Sequence, residues 1–356
     1  MPNWVAFLDL IGTRQRALLP PERLADALGL FLNQVSALAN ELGDSSQCYV
    51  LSDSAVFNVE DLSALLRGLQ KIRSTMFANT YYFKCAIVTG ELQVNRVGRG
   101  GRIRRIEGFS FSSRAAAEVY EDHQNFHGIG IYISRKQEPR VPADIAPLLV
   151  ESNFVALGGG RASTTHLEPY KDVRYTADEI GAPVSASQDP DHSEDGENGS
   201  EGLGPERRLQ GQSYIDLALQ EAFKARLLSP RAASSYVSLL IGIVSSSDFS
   251  RLNFDDNTGR WVDFPLIFRS IHIKDGLRRC GDVPGIAAVY LSILSRILSS
   301  RQDPPRWIDQ VIRKFLGQKV VEAGMRTYGH QLLDAAQRDF VLSRWAELAT
   351  STNQRR

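Results

Sequence analysis

Two helix-like apolar stripes, separated by a hairpin and flanked by apolar strands, constrain this chain more than any other feature. Trp4 to Leu10 is a short apolar run suited to a central strand. Pro20-Pro21-Glu22 then opens a helix with apolar positions at Leu24, Leu28, Phe31, Val35, Leu38 and Leu42. Steps of three and four residues put these on one face, and Gly43-Asp44 ends the helix. Two strands meet next at Ser52-Asp53-Ser54, and a second stripe follows at Leu62, Leu65, Leu66, Leu69, Ile72 and Met76. Tyr82 to Val88 reads as a strand closing at Thr89-Gly90-Glu91, and the glycine-rich Asn95 to Arg105 as a hairpin tip. Ser112 to Glu121 reads as a small-residue helix and Ile129 to Ile133 as another strand. The order β-α-β-β-α-β-β-α-β mixes antiparallel hairpins with helices. It predicts an α+β layer, not a doubly wound parallel sheet.

Composition changes abruptly near residue 183. Pro183 to Gln212 is rich in Ser, Asp, Glu, Gly and Pro with almost no apolar residues, which predicts an acidic, flexible linker. Beyond it the pattern is almost wholly helical: Tyr214 to Leu227, Pro230 to Ser246, Pro265 to Arg279, Val283 to Ser300, Pro305 to Leu316 and Gln318 to Leu348. The expected organisation is therefore a first domain over 1–180, a linker over 181–212 and a helical domain over 213–350. Lysine plus arginine and aspartate plus glutamate both number 41, so no net charge steers the chain toward nucleic acid. Cys48, Cys85 and Cys280 form no disulfide or zinc framework. Without a signal-like start or a spanning apolar run, these cysteines lead us to expect a cytoplasmic protein with no membrane contact.

Two aspartates carry the chemistry. Asp9 ends the run Trp4-Val5-Ala6-Phe7-Leu8-Asp9, and Asp53 sits in the turn after Tyr49-Val50-Leu51-Ser52. Carboxylates in such apolar surroundings are costly to desolvate without compensation. A divalent cation shared between neighbouring strands would supply it; Mg2+ suits two carboxylates when substrate phosphates and water complete its shell. The plain alternative is a turn residue and a strand-end cap.

On these residues the chain resembles the class III nucleotidyl cyclases over about residues 1–170. Phe7-Leu8-Asp9-Leu10-Ile11-Gly12-Thr13 is similar to their first metal motif, and Ser52-Asp53 falls on the second, Gly-Asp in a hairpin turn. Lys84-Cys85-Ala86-Ile87-Val88-Thr89-Gly90-Glu91 looks like their Arg-x-Gly-Ile-His-x-Gly strand. Gly108-Phe109-Ser110-Phe111-Ser112-Ser113-Arg114-Ala115-Ala116 occupies the place of their helix-leading segment. The resemblance implies a ferredoxin-like, palm-type domain and two Mg2+ or Mn2+ ions per site. It places the ions on Asp9 and Asp53 with backbone help from Leu10 and Ile11, and phosphate contacts at the Gly12-Thr13 turn. It also implies a homodimer with composite sites, the partner contributing residues near Ser112 and the arginine hairpin.

The departures bear on the substrate. The purine-reading lysine of the family falls on Tyr49, the base-reading aspartate on Arg105, the helix asparagine on Ser112 and the transition-state arginine on Ala116. That combination resembles the pyrimidine cyclases of the Pycsar antiphage defence system. It implies Tyr49 in the base pocket, Arg96 as the hairpin arginine, UTP as substrate and CTP as runner-up. Five arginines within Arg96 to Arg105 also read as a solvated loop or, as a rival, an RNA-binding arm. Neutral net charge stands against nucleic acid as a partner. A catalytically inactive nucleotide sensor is the leading non-enzyme reading. Among the remaining signals, His123 and His127 read as a surface pair where a helix is ending. Gly158-Gly159-Gly160 reads as a turn, and Trp261, Trp307 and Trp345 as core of the helical domain.

Overall fold

The computed structural model describes residues 3–13, 21–79, 81–97, 108–125, 128–152, 170–176, 230–250, 253–255, 260–262, 286–300, 304, 307–309, 325–326, 329–330 and 332–353. The chain divides into two compact units: Met1–Met76, Tyr81–Ser152 and Glu168–Val173 in one, and Phe77–Thr80, Asn153–Leu167 and Arg174–Arg356 in the other. Within the described part of the first run β1 (Trp4–Leu10), α1 (Pro21–Leu42), β2 (Ser46–Leu51), β3 (Ser54–Val59), α2 (Leu62–Ala78) and β4 (Phe83–Thr89). β5 (Val94–Val97), β6 (Gly108–Phe111), α3 (Arg114–Asn125), β7 (Gly130–Ser134), β8 (Leu149–Ser152) and β9 (Tyr170–Val173) complete it.

Seven strands form one sheet in the order β2-β3-β1-β4-β7-β9-β8, while β5 and β6 pair separately. The β2-β3-β1-β4 portion is antiparallel throughout, and β7 joins β4 in parallel. This is the expected α+β arrangement, with a ferredoxin-like strand order at its centre. Alternation along each strand separates two faces. Trp4, Ala6, Leu8 and Leu10 point to one side of β1, all buried. The α1 stripe is buried at Phe31, Val35 and Leu38, and all six stripe residues of α2 are buried. Helices α1 and α2 touch at Gly68, where an added Cβ would meet Leu38 Cδ1 at 2.0 Å.

The opposite face holds Val5, Phe7 and Asp9. Helix α3 packs there through Ala115 and Val119, closing a cluster with Val5, Val56, Ala86, Val88 and Leu92. Burying each such valine or leucine contributes roughly 1.5–3 kcal/mol before ordering costs. Phe7, Tyr49, Leu51 and Phe111 edge this cluster and are only partly buried. β8 and β9 were not evident in the local sequence pattern. Their place is fixed partly by Arg73 of α2, wholly buried, whose Nη1 donates to the Val173 carbonyl at 2.7 Å and lies 3.9 Å from Asp172 Oδ1.

In the second unit, α4 (Pro230–Ser246) and α5 (Ile286–Ser299) pack against each other, burying Leu240, Ile241, Val244, Leu291 and Leu294. A short hairpin, β10 (Asn253–Asp255) with β11 (Arg260–Val262), interrupts the expected run of helices and carries Trp261 in a strand. The single helix expected over Gln318 to Leu348 is corrected. It breaks at Leu333-Asp334, and α6 (Ala335–Asn353) begins there. Asp334 Oδ1 accepts from the Gln337 amide at 2.8 Å, while Gln337 Oε1 accepts from the Asp334 amide at 3.3 Å. This reciprocal capping box starts a new helix. Trp307 is buried and Trp345 half-buried. The linker 181–212, the helices expected over 214–227 and 265–279, His127, Arg105 and Gly158-Gly159-Gly160 lie outside the described residues. Among the described residues no helix is long and apolar enough to cross a membrane.

Candidate active site

Antiparallel pairing puts Asp9 opposite Ser54 on β3 and Lys84 on β4. The two-residue loop Ser52-Asp53 joins β2 to β3 directly beside the end of β1, and Ser52 takes a left-handed φ of 57° to close it. The Leu10 amide donates to the Asp53 carbonyl at 2.9 Å, so the strand end and the hairpin turn are tied backbone to backbone. Asp9 and Asp53 thus converge on one corner of the sheet.

Each carboxylate is braced by a hydroxyl. Ser54 Oγ donates to Asp9 Oδ1 at 2.9 Å, and Thr13 Oγ1 donates to Asp53 Oδ2 at 2.6 Å. Gly12 precedes Thr13 with φ 84°, a left-handed turn that delivers the threonine back to the hairpin. The Ile11 amide is engaged by the Tyr82 carbonyl at 2.8 Å, so it is spent inside the sheet and not directed at a ligand.

Burial raises the Asp9 carboxyl above its ordinary value; the Ser54 hydrogen bond and Lys84 oppose this, while the Asp53 charge adds to it. An anionic pair here is unfavourable on its own, and a cation relieves it. Among the described residues no group of three or more His, Cys, Asp or Glu side chains is placed to hold a metal ion. Two carboxylates from adjoining strand ends, with neighbouring backbone oxygens, form a small hard-oxygen donor set. Its chemistry would suit a hard divalent cation such as Mg2+ or Mn2+, with water completing the shell.

His123 was missed, and the surface-pair expectation is corrected. It sits in the last turn of α3 and is 2 % exposed. Its ring meets Phe7 edge-on at 4.6 Å, and Nε2 lies 3.8 Å from Asp9 Oδ2. Burial, with Lys84 nearby, lowers its pKa to about 3, so the ring is neutral. Lys84 Nζ donates to the His123 carbonyl at 3.0 Å, placing a cation at the carboxyl end of the helix. The misleading signal is Asn125, Gly128 and Gly130, which suggest an earlier helix end; α3 continues to Asn125.

The base-side candidates stand apart from this corner. Tyr49 is half-buried; its ring meets Phe111 edge-on at 5.6 Å and its hydroxyl donates to Gln47 Oε1 at 3.4 Å. It lies two strands across and two residues along from Asp9, roughly 12 Å away. Ser112 is exposed, accepting from Asn95 Nδ2 at 2.7 Å, and its amide donates to the Gln93 carbonyl at 3.0 Å. Ser113 caps α3, its Oγ accepting from the Ala116 amide at 3.1 Å. Arg96 occupies β5 opposite Phe109, in backbone register only. A pocket of about 450 Å³ opens between sheet and helix, lined by Phe7, Val56, Phe111, Ser112, Ala116 and Tyr120 among others. The thiols of Cys48, raised by burial to about 11, and Cys85, also raised by complete burial, are poor nucleophiles.

No protein-family model matches the chain, and no curated protein does. Among solved structures it is similar over 51 % of its length to 97 % of the adenylyl cyclase CyaB from P. aeruginosa, at 16 % identity and TM-score 0.35. An adenylate cyclase from Trypanosoma brucei matches 49 % of this chain over 88 % of its own, at 12 % identity and TM-score 0.36. The guanylate cyclase domain of RhGC from Catenaria anguillulae, solved with GTP, matches 49 % over 97 % of its own, at 11 % identity and TM-score 0.35. Likenesses of this depth bring no substrate or activity to this chain.

Proposed function

We propose that this chain is a nucleotidyl cyclase that converts a pyrimidine triphosphate, UTP before CTP, into its 3′,5′-cyclic monophosphate and pyrophosphate. The observation that carries the reading is the meeting of Asp9 and Asp53 at one sheet corner, tied through Leu10 and each braced by a hydroxyl. Those carboxylates would hold two divalent ions, with carbonyls near Leu10 and Ile11 assisting. Held by Asp9 and Asp53, such ions would supply Lewis-acid activation of a 3′-hydroxyl and charge neutralisation for departing pyrophosphate.

The remaining roles belong to the chain. Ser54 and Thr13 keep the carboxylates oriented, and the turn at Gly12-Thr13 offers the close backbone approach that a triphosphate needs. Tyr49 stacks on the smaller base and offers its hydroxyl to a pyrimidine edge. Arg96 and Arg105 supply guanidinium groups for phosphate or for the two carbonyls of uracil. Cytosine presents an exocyclic amine best met by a carboxylate, and this set holds none, which ranks UTP first. By the resemblance to the Pycsar enzymes, the product would be a second messenger of antiphage defence made in the cytoplasm.

Purified full-length protein incubated with Mn2+ and each of the four ribonucleoside triphosphates tests this directly. A cyclic product from UTP alone is expected, and Asp53→Ala is expected to reduce turnover at least a thousandfold, on the order of magnitude of a lost catalytic metal ligand. A cyclic purine product, or near-normal turnover by Asp53→Ala, refutes the reading. Nucleotide binding without turnover would point to a sensor, and affinity for RNA alone to a nucleic-acid module.

A further inference from the structure

We propose that His123 is a positioning residue for Asp9, holding its carboxylate in the orientation that receives a divalent ion. The inference rests on the reading of Asp9 and Asp53 as a metal site, and it adds a residue that the cyclase motifs do not contain. Among the described residues neither ring nitrogen of His123 has a hydrogen-bond partner, although the side chain is 3 % exposed. Leaving buried polar atoms without a hydrogen bond costs stability, so a residue that only filled this space would be apolar.

The geometry gives Nε2 a purpose. Ser54 holds Asp9 Oδ1, and the His123 ring faces Oδ2 at 3.8 Å. A shift of roughly 1 Å brings the Nε2–H of the neutral tautomer within hydrogen-bond distance. The carboxylate is then gripped from both sides, as outer-shell partners grip metal ligands elsewhere. Two contacts locate the ring for that task. The Phe7 edge contact fixes its plane, and Lys84, donating to the His123 carbonyl, anchors the helix end that carries it.

The test is Mn2+ binding to the full chain, read from the electron spin resonance of free Mn2+, together with the thermal unfolding midpoint without metal. His123→Leu is expected to weaken Mn2+ about tenfold or more while its midpoint stays level or rises, because the unsatisfied ring is gone. His123→Gln, which keeps an N–H donor, is expected to bind within about threefold of the natural chain. Unchanged Mn2+ affinity in His123→Leu overturns the inference, as does a parallel fall in affinity and midpoint, the mark of a packing role. Equal losses in the Gln and Leu variants overturn it too. Asp9→Asn separates the two levels. If the natural chain binds Mn2+ and Asp9→Asn does not, the metal site stands whatever His123 does. If the natural chain binds none, the site reading and this inference fall together.

Discussion

Asp9 pairs with Ser54 on one side and Lys84 on the other, and its titration follows from that row. Its folded pKa is raised, chiefly by burial, above the 3.8 of a free aspartate. In the metal-free chain the carboxyl therefore favours folding most when protonated. That contribution is complete below about 3.8, the unfolded value, and is lost as pH rises through the higher folded value. With chelator present, Asp9→Asn is expected to unfold at a higher temperature than the natural chain at pH 7, the difference shrinking toward pH 4. Adding Mn2+ should reverse the ranking, because only the aspartate gains from the ion. A natural chain already more stable than Asp9→Asn in chelator would show that the raised carboxyl is not a cost.

At the scale of elements, α3 is the piece that converts a sheet face into a site. It reaches Asp9 through His123 at its last turn, and the residue leading into it, Ser112, is bonded by Asn95 of the β5–β6 hairpin. Gly90, with φ 140°, lets the chain pass beneath its first turn; a Cβ there would meet the Ala115 Cβ at 2.7 Å. Gly90→Ala combines backbone strain with a clash against the Ala115 Cβ, an atom with no rotamer to swing away. It is expected to cost about 1–3 kcal/mol, read by chemical denaturation, and to lower turnover by displacing α3. Unchanged stability would mean that α3 is loosely seated.

Elements also mark where sequence is readable. The stripes of α1 and α2 and the run of β1 are strongly periodic, so burial follows from local pattern, and Trp4 to Leu10 was read residue for residue. β8 and β9 are four-residue strands containing Glu151, Lys171 and Asp172, placed by pairing with distant β7 and by Arg73, which no local window contains. The convergence of Asp9 with Asp53 was readable from strand order. His123 was not, because its burial comes from Phe7 and Asp9, more than a hundred residues earlier. Asp334-x-x-Gln337 was a readable cap, overlooked within a long helical pattern.

At the scale of the whole molecule, distance decides how many chains make one site. Ser113 and His123 lie ten residues apart on α3, about 15 Å along its axis. A nucleotide whose phosphates meet ions at Asp9 therefore does not reach Ser112 of the same chain without spanning the face of α3. A second copy, related by a two-fold axis, could present its own Ser112 and arginine hairpin to that nucleotide, and each of two symmetric sites would then draw on both chains. The face is suited to such pairing, since Phe7 and Phe111 border an apolar pocket and Tyr120 is 55 % exposed beside them. Complementation tests this. On the proposed reading Asp53→Ala would remove the metal side and Ser112→Trp would block the partner side, so each variant alone is expected to be nearly inactive. After mixing in equal amounts and allowing exchange, half the dimers are mixed, and each regains one intact site of its two. Turnover should rise to about a quarter of the natural value, and turnover per chain should fall on dilution. No recovery on mixing, with turnover independent of concentration, would place every catalytic group within one chain.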